Sequence, residues 1–319
     1  MNRAYYVLGV YVMKKQKKHN AFLNTTSLAG RTAVRILSAM GLAVLVLLVV
    51  MPMILTLTNS FMSEQEIHYS YSQQRTAAQN ASGRSAGVYH GIKLIPDVVT
   101  INQYYSVLIQ KTQYHFLFWN SIRVVAPIVA GQIMVASMAA FAFSKIPFRG
   151  REPLFFAYII VMMMPFQVTL VPNYIVASYL GLLDNTLSII LPGIFNAFGV
   201  FLLRQSMVLI PDAYCESAYV DGANRFYIFL KVVLPMSKAG IASLAILVFI
   251  DNWNMIEQPL IFLQDNTKSM LSVFLSTINT NERGIAFAAS SIYMTPMLLV
   301  FLYGESYLVE GIQLSGLKA

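Results

Sequence analysis

Six stretches of this chain are apolar for long enough, or nearly long enough, to cross a bilayer, and no other feature limits its fold as tightly. They run over Ile36–Thr58 and about 122–143, 154–177, 186–203, 239–263 and 285–303. A crossing takes about 20 residues. Inside lipid each backbone N–H and C=O must be bonded within the protein, which leaves helices or a closed barrel. Continuous apolar runs of this length read as helices, so the expected fold is an all-α polytopic membrane protein with six spans. Composition agrees: 57% of the 319 residues are hydrophobic and 11% charged, against about 25% charged in soluble domains. The first apolar stretch is too long for a secretory leader and has no small-residue cleavage site behind the charges. It is read as a retained first span.

The charged residues set the orientation. Lys and Arg concentrate in cytoplasmic loops of membrane proteins. With both termini inside, 15 of the 22 basic residues fall on cytoplasmic segments and 7 outside. The expected organisation is a basic cytoplasmic segment 1–35, a first span 36–58, an extracytoplasmic polar segment 59–121, and a core 122–319 with a cytoplasmic tail. The +8 charge therefore reflects topology, and no nucleic-acid partner is expected. One cysteine, Cys215, rules out an internal disulfide and is read as a packing residue. Four scattered histidines make no metal-ligand set. No phosphate-cradling G-x-x-x-x-G-K-[ST] occurs, and neither His-Glu-x-x-His nor G-x-S-x-G is present, so no catalytic residues are assigned.

The longest polar interruption between the later spans is Pro211–Pro235, PDAYCESAYVDGANRFYIFLKVVLP. Asp212 is expected to cap a short helix by accepting backbone N–H bonds. Gly222 is expected to end it in a left-handed conformation. A second amphipathic run, Asn224–Leu234, is expected to stop at Pro235. Such a pair suits a piece lying on the membrane surface and docking into another protein.

Glu216-Ser217-Ala218, Asp221-Gly222-Ala223 and Leu234-Pro235 resemble the EAA…DGA…LP loop of ABC-transporter permease subunits. Ser217 departs from the usual Ala. The surrounding chain, roughly 90–319, is similar to the binding-protein-dependent sugar branch, the maltose-transporter type and its smaller permease. Weaker matches are Leu94-Ile95-Pro96-Asp97 with Thr100 and Tyr104, Asn120-Ser121, the turn Gly181–Asn185, and Gly311, Gly316 and Lys318. Ser306 and Glu310 stand where that family often has Arg. The resemblance implies a type I ABC importer permease whose coupling helix seats in a cleft of an ATPase. It implies a second permease subunit, two ATPase subunits carrying the ATP and Mg, an external binding protein, and a sugar or oligosaccharide as cargo. The chain itself would bind no cofactor and hydrolyse nothing.

A charged side chain within a span costs about 3 kcal/mol, so Asp251 and Glu257, in the polar stretches that interrupt the fifth span, are expected to face the bundle interior or a wet cavity. Asn252, Asn254 and Gln258 add hydrogen-bonding groups, and Trp253 an aromatic face for a sugar ring. Gln167, beside Pro165 in the third span, joins this set. On an unbroken helix Asp251, Asn254 and Gln258 would share one face. The rival use of these polar groups is gluing the fifth span to a neighbouring helix. A rival function is an ion-coupled secondary transporter with Asp251 and Glu257 as its coupling carboxylates; it leaves the Pro211–Pro235 loop unexplained.

Overall fold

The computed structural model describes residues 34–69, 95–277 and 283–316, without the side chains of 310–316. Most of the basic segment 1–35, the centre 70–94 of the polar segment, the Glu310 side chain and Lys318 lie outside these residues. The chain divides into two compact units, Met1–Leu57 and Thr58–Ala319. Helix α1, Val34–Asn59, carries the first expected span. It is apolar on every side, as suits a helix surrounded by lipid or other helices.

The second unit is helical, with an isolated antiparallel bridge between Met62 and Val99. A short helix α2 (64–69) leads out of the first span. The approach to the second span folds back on this region. Thr100 N donates to Phe61 O at 2.8 Å, Ser60 and Tyr104 hydroxyls pair at 2.7 Å, and Gln103 Nε2 donates to Met62 O at 3.3 Å. Helix α3 (Asn102–Tyr105) runs through a π turn into α4 (Gln113–Lys145). At 33 residues, α4 starts well before the expected 122. Asn120 and Ser121 therefore lie within it. Asn120 Nδ2 donates to Thr267 O at 2.7 Å, and Ser121 Oγ accepts from Leu271 N at 3.0 Å, tying α4 to a distant loop.

The third crossing departs from expectation. In place of one run over 154–177 the chain forms α5 (Arg151–Met162) and α6 (Phe166–Tyr179), bent by 98°. Pro165 has no N–H to continue the helix, and it biases Met164 away from helical geometry. The fourth crossing is α7 (Leu187–Ile194) with α8 (Ala197–Val208), together long and apolar enough to cross. Two short helices follow, α9 (Asp212–Val220) and α10 (Arg225–Ile228). Pro235 does not stop the second run: a π turn over Phe229–Val233 leads into α11 (Leu234–Met236). A π turn bonds i to i+5 and so steps over the donor that Pro235 lacks. The chain then bends by 76° into α12 (Lys238–Trp253). Helix α12 persists through Asp251–Trp253 and breaks only at 254–256, before α13 (Glu257–Phe262). Helices α14 (Leu271–Ser276) and α15 (Arg283–Gly316) complete the chain.

Helix α4 is the central post, packed by α7, α8 and α12, with α15 against α12. Val124, Val125 and Ile128 of α4 are wholly buried with Leu203, Leu244 and Trp253. Small residues permit the close approach expected of membrane helices. A Cβ at Gly199 of α8 would lie 2.9 Å from Gln132 Nε2 of α4.

Candidate docking surface and polar cavity

At one end of the bundle α9 and α10 form a bracket around Gly222. The cap of α9 is Pro211, without a side-chain bond, and Asp212 is the first helical residue. The expectation that Asp212 caps the helix is corrected: its Oδ1 accepts from Lys145 Nζ at 2.6 Å. Lys145, nearly buried at the C-terminus of α4, also donates to Ile210 O. This cation sits where four helical carbonyls lack partners, a favourable place for positive charge. Nearby, Arg204 of α8 donates to both oxygens of Glu152 at 3.2 and 3.1 Å and lies 3.8 Å over the Phe155 ring. Both ion pairs clamp the ends of α4, α5, α8 and α9 together. Nothing in the sequence pattern marked them beyond their sign.

Gly222 adopts φ +85°, the left-handed conformation expected of it. Its N–H bonds Tyr219 O at 3.0 Å, and Ala223 N–H bonds Ala218 O at 2.9 Å. These two bonds close a Schellman motif. Ala218 and Ala223 are half-buried and pack against the core. Leu234 packs there too, whereas Pro235 is exposed at the end of the second run. Glu216, Ser217 and Asp221 are exposed, as are Tyr214, Tyr219, Phe226 and Tyr227. With Val220 89% and Phe226 65% exposed, the bracket presents a mixed apolar and acidic face to its surroundings. Cys215 points the other way and is buried. Burial pushes its thiol up, against the lowering pull of Lys145, so it behaves as a small packing residue.

The second site is a cavity of about 770 Å³ between α6, the α7–α8 junction, the end of α12 and α13. Gln167, Asp251, Asn252, Asn254, Glu257 and Gln258 all line it. The unbroken helix face that was to align Asn254 with Gln258 does not exist; the break turns both toward one space instead. Gln167 Nε2 donates to Glu257 Oε2 at 3.4 Å across the cavity. Part of the gluing role is also real, since Gln258 Nε2 donates to Ser188 O at 3.3 Å.

Trp253 is the exception. It is wholly buried, stacked between Phe249 and Tyr293, with Nε1 donating to Tyr293 O at 3.1 Å. Its faces are already used by the bundle, so it offers no ring to a ligand. The aromatic residue at the cavity is Phe166.

Sequence reasoning missed Thr169, Asn173 and Asn196, which also line the cavity. Phe166, Thr169 and Asn173 recur at three and four residues, one face of α6, and polar groups at that spacing in an apolar run are a readable signal. It also missed what holds the break. Tyr293 Oη lies 2.8 Å from Trp253 O and 3.0 Å from Asn254 Oδ1. Ser272 Oγ donates to Met255 O at 2.6 Å. Neighbouring helices thus satisfy the carbonyls freed where α12 ends, the condition for broken helix at membrane depth.

A third feature tethers α13 from the far end. Asp184, at φ 59°, accepts Gln264 and Asp265 N–H on Oδ1 and Lys268 Nζ on Oδ2. The Lys268 bond, then the Asp265 N–H, hold its carboxyl below the ordinary range.

Similarity to known proteins agrees with this architecture. A family model described as binding-protein-dependent transport system inner membrane component matches residues 132–311. The arabinooligosaccharides transport system permease protein AraQ of Halalkalibacterium halodurans is 29% identical over 72% of this chain and 84% of that protein. The lactose transport system permease protein LacG of Rhizobium radiobacter is 29% identical over 61% of this chain and 72% of its own length. The sn-glycerol-3-phosphate transport system permease protein UgpE of Pectobacterium atrosepticum is 30% identical, covering 63% and 73%. A chain in the crystal structure of a bacterial ABC transporter involved in alginate import shares the fold, with TM-score 0.70 and 24% identity over 85% of this chain and 95% of that one.

Proposed function

Because the chain belongs to the family of binding-protein-dependent transport system inner membrane components, we propose that it is one of two permease subunits of an ABC importer for a sugar or oligosaccharide. The observation that carries this reading is the α9–Gly222–α10 bracket. It is an exposed, mixed apolar and acidic face lying between two membrane crossings and clamped to α4 through Lys145–Asp212. An ATPase subunit docks there, with Glu216, Ser217, Asp221 and Gly222 at the contact, and ATP and Mg stay on that partner. Ala218, Ala223 and Leu234 seat the bracket on the bundle, and Pro235 lies in the short helix just before the bend into α12. ATPase closure moves α9, and the ion pairs of Lys145 and Arg204 pass the motion to α4, α5 and α8. The cavity at the α12 break then opens alternately to either side for sugar delivered by an external binding protein. The sugar class is supported by two of the relatives named above, the arabinooligosaccharides and lactose permeases.

Each bent helix pair counts as one crossing in this reading, giving six spans with both ends in the cytoplasm. The Lys and Arg distribution supports that orientation. The ion-coupled alternative gains no support from a family defined by binding-protein-dependent transport.

The test uses the complex reconstituted in vesicles. Glu216→Lys, on the exposed face, is expected to leave the chain inserted and paired with its partner permease. Sugar-stimulated ATP hydrolysis should fall at least about tenfold, a rise of ~1.4 kcal/mol in the barrier of the stimulated step. Unchanged stimulation, with unchanged ATPase pull-down, would remove the docking role of the bracket.

A further inference from the structure

We infer that the cavity selects its cargo by charge, taking neutral or amino-bearing sugars and turning away uronates and sugar phosphates. The inference rests on reading the cavity as the sugar path. Of the fourteen lining residues, Asp251 and Glu257 bear carboxylates and none is Lys, Arg or His. Glu257 meets only the Gln167 amide, at 3.4 Å, and Asp251 has no hydrogen-bond or ion-pair partner among the described residues.

The buried wall points the same way by a separate route. Gln258, 5% exposed, gives one N–H of its Nε2 to Ser188 O, and Asn252, 9% exposed, gives one N–H of its Nδ2 to Val248 O. Each keeps a carbonyl oxygen without a protein partner. Gln167 likewise gives one N–H to Glu257. With the two carboxylates these oxygens outnumber the one N–H that each amide keeps, an excess of acceptors that suits a ligand rich in donors: hydroxyls and ammonium groups. An anion would have to shed water beside two carboxylates with no cation to replace it. A site that leaves an unwanted ligand unpaired discriminates by repulsion as well as by fit.

The inference is tested with a reporter thiol. Cys215 is the only native cysteine, so Cys215→Ser with Asn173→Cys leaves one thiol, in the cavity; Thr169→Cys serves if that variant does not fold. The full complex is reconstituted and treated with a cationic trimethylammonium-ethyl or an anionic sulfonatoethyl methanethiosulfonate. Rates are normalised to a free thiol. Cationic labelling is expected to be at least about tenfold faster, since clefts of one sign concentrate opposite charge by that order or more. Asp251→Asn with Glu257→Gln should bring the ratio toward one. Equal or faster anionic labelling overturns the charge selection while leaving the sugar path intact. Labelling by neither reagent means that the cavity is closed to water, and the sugar-path reading fails with it. Chitosan oligomers should also protect the thiol from a neutral reagent better than galacturonan oligomers of equal length; the reverse order overturns the proposal.

Discussion

Asp184 shows how much one residue of an unremarkable turn can hold. Its sequence context, Gly181–Asn185, reads as a short loop, yet it joins two loops about 80 positions apart. Asp tolerates the left-handed φ it adopts better than most residues. Its carboxyl is lowered from the ordinary 3.8, so its stabilisation is present above that value and is lost as pH falls through the folded value. The Lys268 ammonium is raised from the ordinary 10.5, first by the Asp184 bond, so its share is present below that value and lost as pH rises through the folded one. The pair should hold across the range between about pH 4 and 10. Both groups are partly open to water, so the effect is small. Asp184→Asn is expected to lower the thermal transition at pH 7, with the gap to the native chain closing below pH 3.8. A gap that stays constant under acid, measured by melting in detergent, would dismiss the ion pair.

At the scale of an element, the break after α12 matters most. An unbroken fifth helix would present one stripe of polar groups. The break instead turns Asn254, Glu257 and Gln258 toward α6 and makes a cavity. Tyr293 holds it through its hydroxyl contacts with Trp253 O and Asn254 Oδ1, while its ring stacks on Trp253. Tyr293→Phe keeps the stack and removes the hydroxyl, a loss of about 1 kcal/mol. The half-stimulating sugar concentration of the reconstituted ATPase should rise about fivefold, with unstimulated hydrolysis unchanged. If both stay as in the native chain, the hydroxyl does not position the cavity wall. A fall in unstimulated hydrolysis as well would mark a general packing role.

For the whole molecule, the consequence is a sidedness. The α9–α10 bracket and the Asp184 loops belong to opposite ends if six crossings hold. A single cysteine at Asn266, exposed beside the Asp184 tether, should react with an impermeant maleimide on intact cells. One at Arg149, exposed between α4 and α5, should react only after permeabilisation. External labelling of Arg149→Cys would overturn the orientation. The buried native Cys215 should give little background.

Apolar run length and charge placement by themselves determined that this chain is a multi-span helical protein, because lipid leaves a backbone so few choices. The loop pattern around Gly222 determined the helix–turn–helix there, since a glycine that must take positive φ is legible locally. Six of the seven residues expected at the polar patch line one cavity, because charge and amide groups inside a span have few other places to go. What only the tertiary structure decided depends on neighbours distant in sequence. Trp253 turned inward because Phe249 and Tyr293 cover its two faces. Asp212 gave up its cap because Lys145 of α4 lies 2.6 Å away. The fifth crossing broke after Trp253, where the hydroxyls of Tyr293 and Ser272 could donate to the freed carbonyls. Local sequence states which backbone groups a break would free; only packing supplies the partners that make the break affordable.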